Sequence, residues 1–268
     1  MHMKSESQPE KELNCPQVAA HGQPFDLGII YEDNHVVVVI KPQNVPCCPD
    51  ESGDANLLDE LKKKYGFVGL VHRLDRVTGG VMIYAKTTKA ASRLSEQIRD
   101  GRMEKTYLAV VCGTPKERSG TLVNHLYKNE LQNTVTVVPS ATTGAKRAEL
   151  SYTILPKPPK EKQDISLVSV KLDTGRSHQI RVQFAHIGCP IFGDAKYGGD
   201  KLGKGWKLAL WAHKLTFVHP TTEDKMTFIV NPPDIVPWTG FDFERQSHKQ
   251  REKPPSAMPT PPLQRGLL

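Results

Sequence analysis

The chain predicts an α+β fold built on a mainly antiparallel sheet. Five strand-like runs follow one another between Met103 and Leu172 with no helix between them, and strands joined directly pair antiparallel. Three other stretches carry apolar residues at helical spacing. A length of 268 residues, with 38% hydrophobic and 24% charged, is a globular balance large enough for one large domain or two small ones.

The elements follow in order. Residues 1–24 are polar and aperiodic and read as a flexible tail, the catalytic body as 25–240, and the Pro- and base-rich 241–268 as a second tail. Leu27–Tyr31 and His35–Ile40 flank Glu32-Asp33-Asn34, a hairpin signal, and Pro42 ends the second strand. Ala55–Tyr65 places Leu57, Leu58 and Leu61 on a helix stopped by Gly66, with Lys62–Lys64 on its solvated face. In Gly69–Tyr84, two β-branched runs flank His72-Arg-Leu-Asp-Arg76, and Gly79-Gly80 marks a turn or a close backbone approach. Thr87 or Thr88 caps a helix bearing Ala91, Leu94 and Ile98. Met103–Cys112, Gly120–Tyr127, Thr134–Val138, Arg147–Leu155 and Ile165–Leu172 are the successive strands. Ser177 opens a helix whose Ile180, Phe184 and Ile187 share the buried face, and Gly188 stops it. Asp194–Lys207 is a Gly- and Lys-rich loop, and Leu208–Phe217 and Lys225–Val230 are closing strands.

Composition excludes several classes. The formal charge of +7 favours a polyanionic partner such as nucleic acid. No apolar run reaches membrane length and no secretory h-region opens the chain, so a cytoplasmic protein away from membranes is expected. Five scattered cysteines without a CxxC argue against a disulfide framework and a zinc site. Walker, dinucleotide-binding, GxSxG and HExxH signatures are absent. A site free of metal and cofactor, centred on one carboxylate, is what is left.

Three polar groups interrupt the apolar pattern: Arg73-Leu-Asp75, Lys105-Thr-Tyr107 and Gly175-Arg-Ser-His-Gln-Ile-Arg181. Asp75 lies between two arginines, and neighbouring cations favour a charged carboxylate, which suits a nucleophile. The rival reading is structural: a surface turn at Asp75, a core aromatic at Tyr107, and an Arg181 paired with some acidic neighbour.

Five stretches together resemble the ordered motifs of RluA-type RNA pseudouridine synthases. They are Tyr31-Glu-Asp with Val-Val-Ile-Lys41-Pro42, His72-Arg-Leu-Asp75-Arg-Val-Thr-Gly-Gly80, Lys105-Thr-Tyr107 to Gly113, Gly175 to Arg181, and Pro190 to Asp194 with Tyr197-Gly198. The resemblance implies a bifurcated sheet with flanking helices around a basic RNA-binding cleft. The implied reaction isomerises a uridine of structured tRNA or rRNA without cofactor or metal. It casts Asp75 as nucleophile, Arg181 as its salt-bridge partner, and Tyr107 as the residue that stacks on the base and assists proton removal. Arg73 would fill the gap left by the flipped nucleotide. Arg76, Lys105, Arg176 and His178 would be RNA contacts. The expected enzyme is a monomer, a short family member without an S4-type domain. Gly79 departs from the usual serine, which predicts a looser turn, and Gln183 stands where a histidine is common. An inactive RNA-binding relative and a hydrolase using Asp75 are the competing functions.

Overall fold

The computed structural model describes residues 26–156, 164–198, 205–239, 241 and 243. The expected N-terminal tail, the C-terminal one apart from Phe241 and Phe243, Cys15, and Lys201 and Lys204 of the lysine-rich loop lie outside the described residues.

In chain order the elements are β1 (Ile29–Glu32), β2 (Val36–Lys41), α1 (Leu57–Tyr65), β3 (Gly69–Leu70), β4 (Gly79–Ala85), α2 (Thr88–Arg99) and β5 (Glu104–Cys112). There follow β6 (Ser119–Asn129), β7 (Thr134–Val138), β8 (Lys146–Ile154), β9 (Ile165–Leu172), α3 (Gln179–His186), β10 (Leu210–Val218) and β11 (Lys225–Ile229). Among the described residues the strands form one sheet, ordered β1-β2-β4-β10-β5-β9-β8-β6-β7, with β3 on β4 and β11 on β10. The expected α+β, mainly antiparallel architecture is what forms.

The sheet forks at β10. Trp211 and Ala212 pair parallel with Gly79 and Gly80 of β4, while Lys214–Val218 pair antiparallel with β11. The opposite edge of β10 runs along β5, with a register shift between Ala212 and Lys214. This parallel junction explains the glycine pair. A Cβ on Gly80 would sit 2.2 Å from the Ala212 carbonyl oxygen, and Gly80 has φ +123°. A Cβ on Gly79 would sit 2.3 Å from the Trp211 indole. The turn is therefore not loosened by the missing serine. Trp211 occupies that space, 1% exposed, and its Nε1 donates to the Val230 carbonyl at 3.0 Å.

Most of the core is one apolar cluster spanning β2, β4, β5, β9 and β10, with α1 and α2 packed on it. A smaller cluster of Leu126, Val135, Ala148 and Val182 lies under α3. Asn56 and Thr87 cap α1 and α2 by accepting from the backbone of Asp59 and Ala90. Gln97 of α2 is buried and bonds both the N–H and the carbonyl of Val218, fixing the helix to β10.

Three local expectations need correction. The run before His72 supplies only the two residues of β3. The helix expected from Ser177 begins at Gln179, because His178 takes a left-handed conformation (φ 51°, ψ 18°) that a right-handed helix cannot include. Ile187 is 37% exposed rather than buried, since the helix has already ended at His186.

Candidate active site

The loop between β3 and β4 carries Asp75, and it is held by its backbone. The Arg76 carbonyl accepts from the Asn44 N–H at 2.8 Å and from Lys41 Nζ at 2.9 Å. The Val77 carbonyl accepts from Gln43 Nε2 at 3.0 Å, and Gln43 also reaches the Leu208 carbonyl at 2.7 Å. Thr78 N–H closes the turn on the Asp75 carbonyl at 2.9 Å. Lys41 is fully buried, and burial pulls its pKa down to about 7 against the opposing charges of Cys47 and Asp75. His72 is buried too, its Nε2 accepting from the Ile83 N–H at 3.2 Å. Burial first, then the Lys105 charge, lowers its pKa to about 3, so the ring is neutral at pH 7. With the backbone so occupied, the Asp75 side chain is left 28% exposed.

Arg181, one turn into α3, meets it. Arg181 Nη1 lies 3.7 Å from Asp75 Oδ2. Its stronger partner is Asp194, bound at both ends: Nε to Oδ2 at 2.8 Å and Nη2 to Oδ1 at 2.7 Å. The Asp194 side chain is 0% exposed, and its Oδ1 also accepts from the backbone of Lys196 at 3.0 Å and Tyr197 at 3.1 Å. The Tyr197 ring lies 5.0 Å from the guanidinium carbon. Burial works against the charge of Arg181, but the hydrogen bonds and charge of Asp194, then Asp75, prevail and raise its pKa. The guanidinium is thus clamped from behind and turns one nitrogen toward Asp75.

Asp75, Arg181 and Asp194 line a cleft of about 1470 Å³ that also takes in Tyr107, Lys105, Arg73, Arg76, Arg176 and His178. Tyr107, on β5, is 6% exposed, and burial followed by the Asp75 charge raises its phenol pKa. Lys105 is half-buried, and burial lowers its pKa. Arg73 is exposed at the cleft wall. His178 Nδ1 lies 2.6 Å from the Tyr197 hydroxyl, which accepts from the Val135 N–H at 3.0 Å. Burial lowers the His178 pKa, while the Asp75 charge opposes the shift.

Two of the expected RNA contacts in the cleft also hold partners within the chain. Arg76 turns away from Asp75: its guanidinium donates to the Asn44 carbonyl at 3.1 Å, to Ser52 Oγ at 2.8 Å and to Asp54. Arg176 is exposed, with Nε donating to the Arg147 carbonyl at 3.0 Å. The cation at Asp75 is therefore Arg181, from far along the chain, and not a sequence neighbour. Arg181 does pair with an acidic neighbour, as the structural reading had it, and it faces Asp75 as well.

Lys41, Asp194 and Tyr197 lie inside the five motifs, but nothing in the sequence assigns them a task. The signal available for Asp194 was an acid in an otherwise Pro- and Gly-rich turn, four residues after Pro190. Gln183, noted only as a departure, is fully buried and donates to the Leu122 carbonyl at 3.1 Å and Asn124 Oδ1 at 2.8 Å, joining α3 to β6. Among the described residues no cluster of three His, Cys, Asp or Glu side chains is placed to hold a metal, and no helix is long and apolar enough to cross a membrane.

The family model for RNA pseudouridylate synthases matches residues 35–186, more than half of the chain. An uncharacterised RNA pseudouridine synthase of Bacillus subtilis is 33% identical over 210 residues, 74% of this chain and 66% of the relative. The dual-specificity RNA pseudouridine synthase RluA of Haemophilus influenzae is 33% identical over 209 residues, 77% of this chain and 93% of the relative. The chain thus spans just under two thirds of the first relative and nearly all of the second. The solved structure of human RNA pseudouridylate synthase domain containing 1 shares the fold at a TM-score of 0.69 and 22% identity, over 85% of this chain and 96% of that one. The matched sequence, with a fold that agrees, shows that the chain belongs to the RNA pseudouridine synthase family.

Proposed function

We propose that Asp75 is the nucleophile of a uridine-to-pseudouridine isomerisation in structured tRNA or rRNA, carried out by a cytoplasmic monomer. The observation that carries this reading is the part-exposed Asp75 carboxylate, 3.7 Å from an arginine that a second, buried aspartate holds in place. A nucleophilic carboxylate needs to be ionised, still and open on one side. The anchored loop supplies the stillness, Arg181 the countercharge, and the cleft the open side.

In the proposed sequence, an Asp75 oxygen bonds to ribose C1′ or uracil C6, and the N1–C1′ bond breaks. The freed uracil turns, C5 bonds to C1′, the bond to Asp75 breaks, C5 loses its proton and N1 gains one. No atom or electron is gained or lost, so the isomerisation consumes no oxidant or reductant. Tyr107, buried beside Asp75, is the surface on which the base rests. Burial and the Asp75 charge favour the neutral phenol, so the ring meets the base as an uncharged stacking face. Arg73, exposed on the same loop, is free to fill the stack vacated by a flipped nucleotide, offsetting an unstacking cost of a few kcal/mol. Lys105 and His178 face the cleft as backbone contacts.

Tritium release tests the reading. Total tRNA and rRNA carrying C5-tritiated uridine should lose tritium to water on incubation with the protein. Salt-dependent RNA binding with no release from any RNA would favour the inactive-relative alternative, and absence of RNA binding would favour the hydrolase.

A further inference from the structure

The chain has three tryptophans. Trp211 is 1% exposed and Trp238 is 3% exposed, but Trp206 is 50% exposed and lines the same cleft as Asp75. Exposing half an indole forgoes apolar burial, unless something covers the ring in use.

Its support is built into the site. Phe192, buried at 6%, meets Trp206 edge-on, with ring centroids 5.9 Å apart and planes at 61°. This leaves the indole held at one edge. The backbone is fixed as well. Gly193, next to Asp194, is packed so closely that a Cβ would lie 2.4 Å from the Lys207 carbonyl oxygen and 3.2 Å from that of Trp206. On either side, the Phe192 N–H bonds the Val110 carbonyl and the Phe192 carbonyl accepts from the Ala209 N–H, both at 2.9 Å. The turn that presents the Asp194 anchor to Arg181 therefore also packs closely against the backbone of Trp206 and of the cleft-lining cation Lys207.

We propose that Trp206 is a stacking platform for an unpaired base of the RNA beside the target uridine. The inference rests on the RNA reading above and adds a second aromatic contact to the one assigned to Tyr107. An anchored aromatic ring next to a lysine, in a cleft of net-positive protein, is the chemistry that binds single-stranded nucleobases: the ring takes any π-face and the cation takes the phosphate.

The full chain tests it by acrylamide quenching of tryptophan emission, with and without saturating total tRNA and rRNA. The free protein should show one readily quenched component, absent from Trp206→Phe, and RNA should protect that component. Trp206→Ala should weaken RNA affinity about 5- to 150-fold, while Trp206→Phe retains most of it. RNA binding that leaves the quenched component as accessible as before would overturn the proposal, as would wild-type affinity in Trp206→Ala. The quenching arm uses the wild-type chain and stands even if Trp206→Ala fails to fold. Failure of the wild-type chain to bind RNA at low salt would instead overturn the RNA reading itself.

Discussion

The loop carrying Asp75 and the turn carrying Asp194 present a carboxylate to the same arginine and treat it in opposite ways. Asp194 is sealed from solvent, with a bidentate grip on Arg181 and two backbone N–H donors on one oxygen. Asp75 is 28% exposed and meets one guanidinium nitrogen at 3.7 Å. A sealed carboxylate is out of a substrate's reach, whereas a part-exposed, loosely held one is open on one side. The difference teaches a division of labour. Asp194 fixes the cation, and the fixed cation steadies Asp75 without occupying it.

That comparison can be broken most forcefully at Asp194. Asp194→Asn removes the charge that Arg181 depends on. Loss of one partner of a buried pair costs on the order of 3–5 kcal/mol, so urea unfolding should show a drop of that size. Loss of activity should accompany it even under conditions where the variant is folded. Stability close to wild type would mean that Asp75 alone can hold Arg181.

A smaller effect is expected where the Asp75 loop enters β4. Restoring the serine, Gly79→Ser, places a Cβ against the Trp211 indole at 2.3 Å. Overpacking of this kind costs about 1–3 kcal/mol. In a Trp211→Leu background the same change should cost little more, a coupling that a double-mutant cycle by chemical denaturation would measure. Equal costs in both backgrounds would show that the indole is not what the glycine accommodates.

A third, pH-dependent effect comes from His72, buried within the Asp75 loop. Its folded pKa is about 3, against about 6.5 for an unfolded histidine. Between those values the unfolded chain binds the extra proton. The stability tied to this group is therefore complete above about pH 6.5 and is lost progressively toward pH 3. Unfolding midpoints at pH 7.5, 5.5 and 4.5 should fall less steeply in His72→Gln than in the parent chain.

Much of this arrangement was legible in the sequence. Strand succession gave the antiparallel sheet, and the Gly79-Gly80 pair marked the close approach that the β4–β10 junction requires. Asp75, Tyr107 and Arg181 were readable as one site only through the order of the five motifs, since a β-strand and a helix far apart in the chain supply the last two. The rest depended on tertiary packing. Arg73 and Arg76 looked like the cations for Asp75 because they adjoin it in sequence, yet a loop turns its side chains to different partners, and Arg76 is bound by Ser52 and Asp54. Asp194 has no role assigned from sequence, because its burial is created by α3 and the residues after it. Gly79 read as a loss because nothing local announces that Trp211 fills its space.

The division between the two aspartates is tested most directly by measuring tritium release and thermal unfolding side by side in Asp75→Asn and Asp194→Asn. Asp75→Asn should release no tritium above background while unfolding near the wild-type temperature and still binding RNA. Asp194→Asn should unfold at a clearly lower temperature. Sustained tritium release from Asp75→Asn would contradict the account.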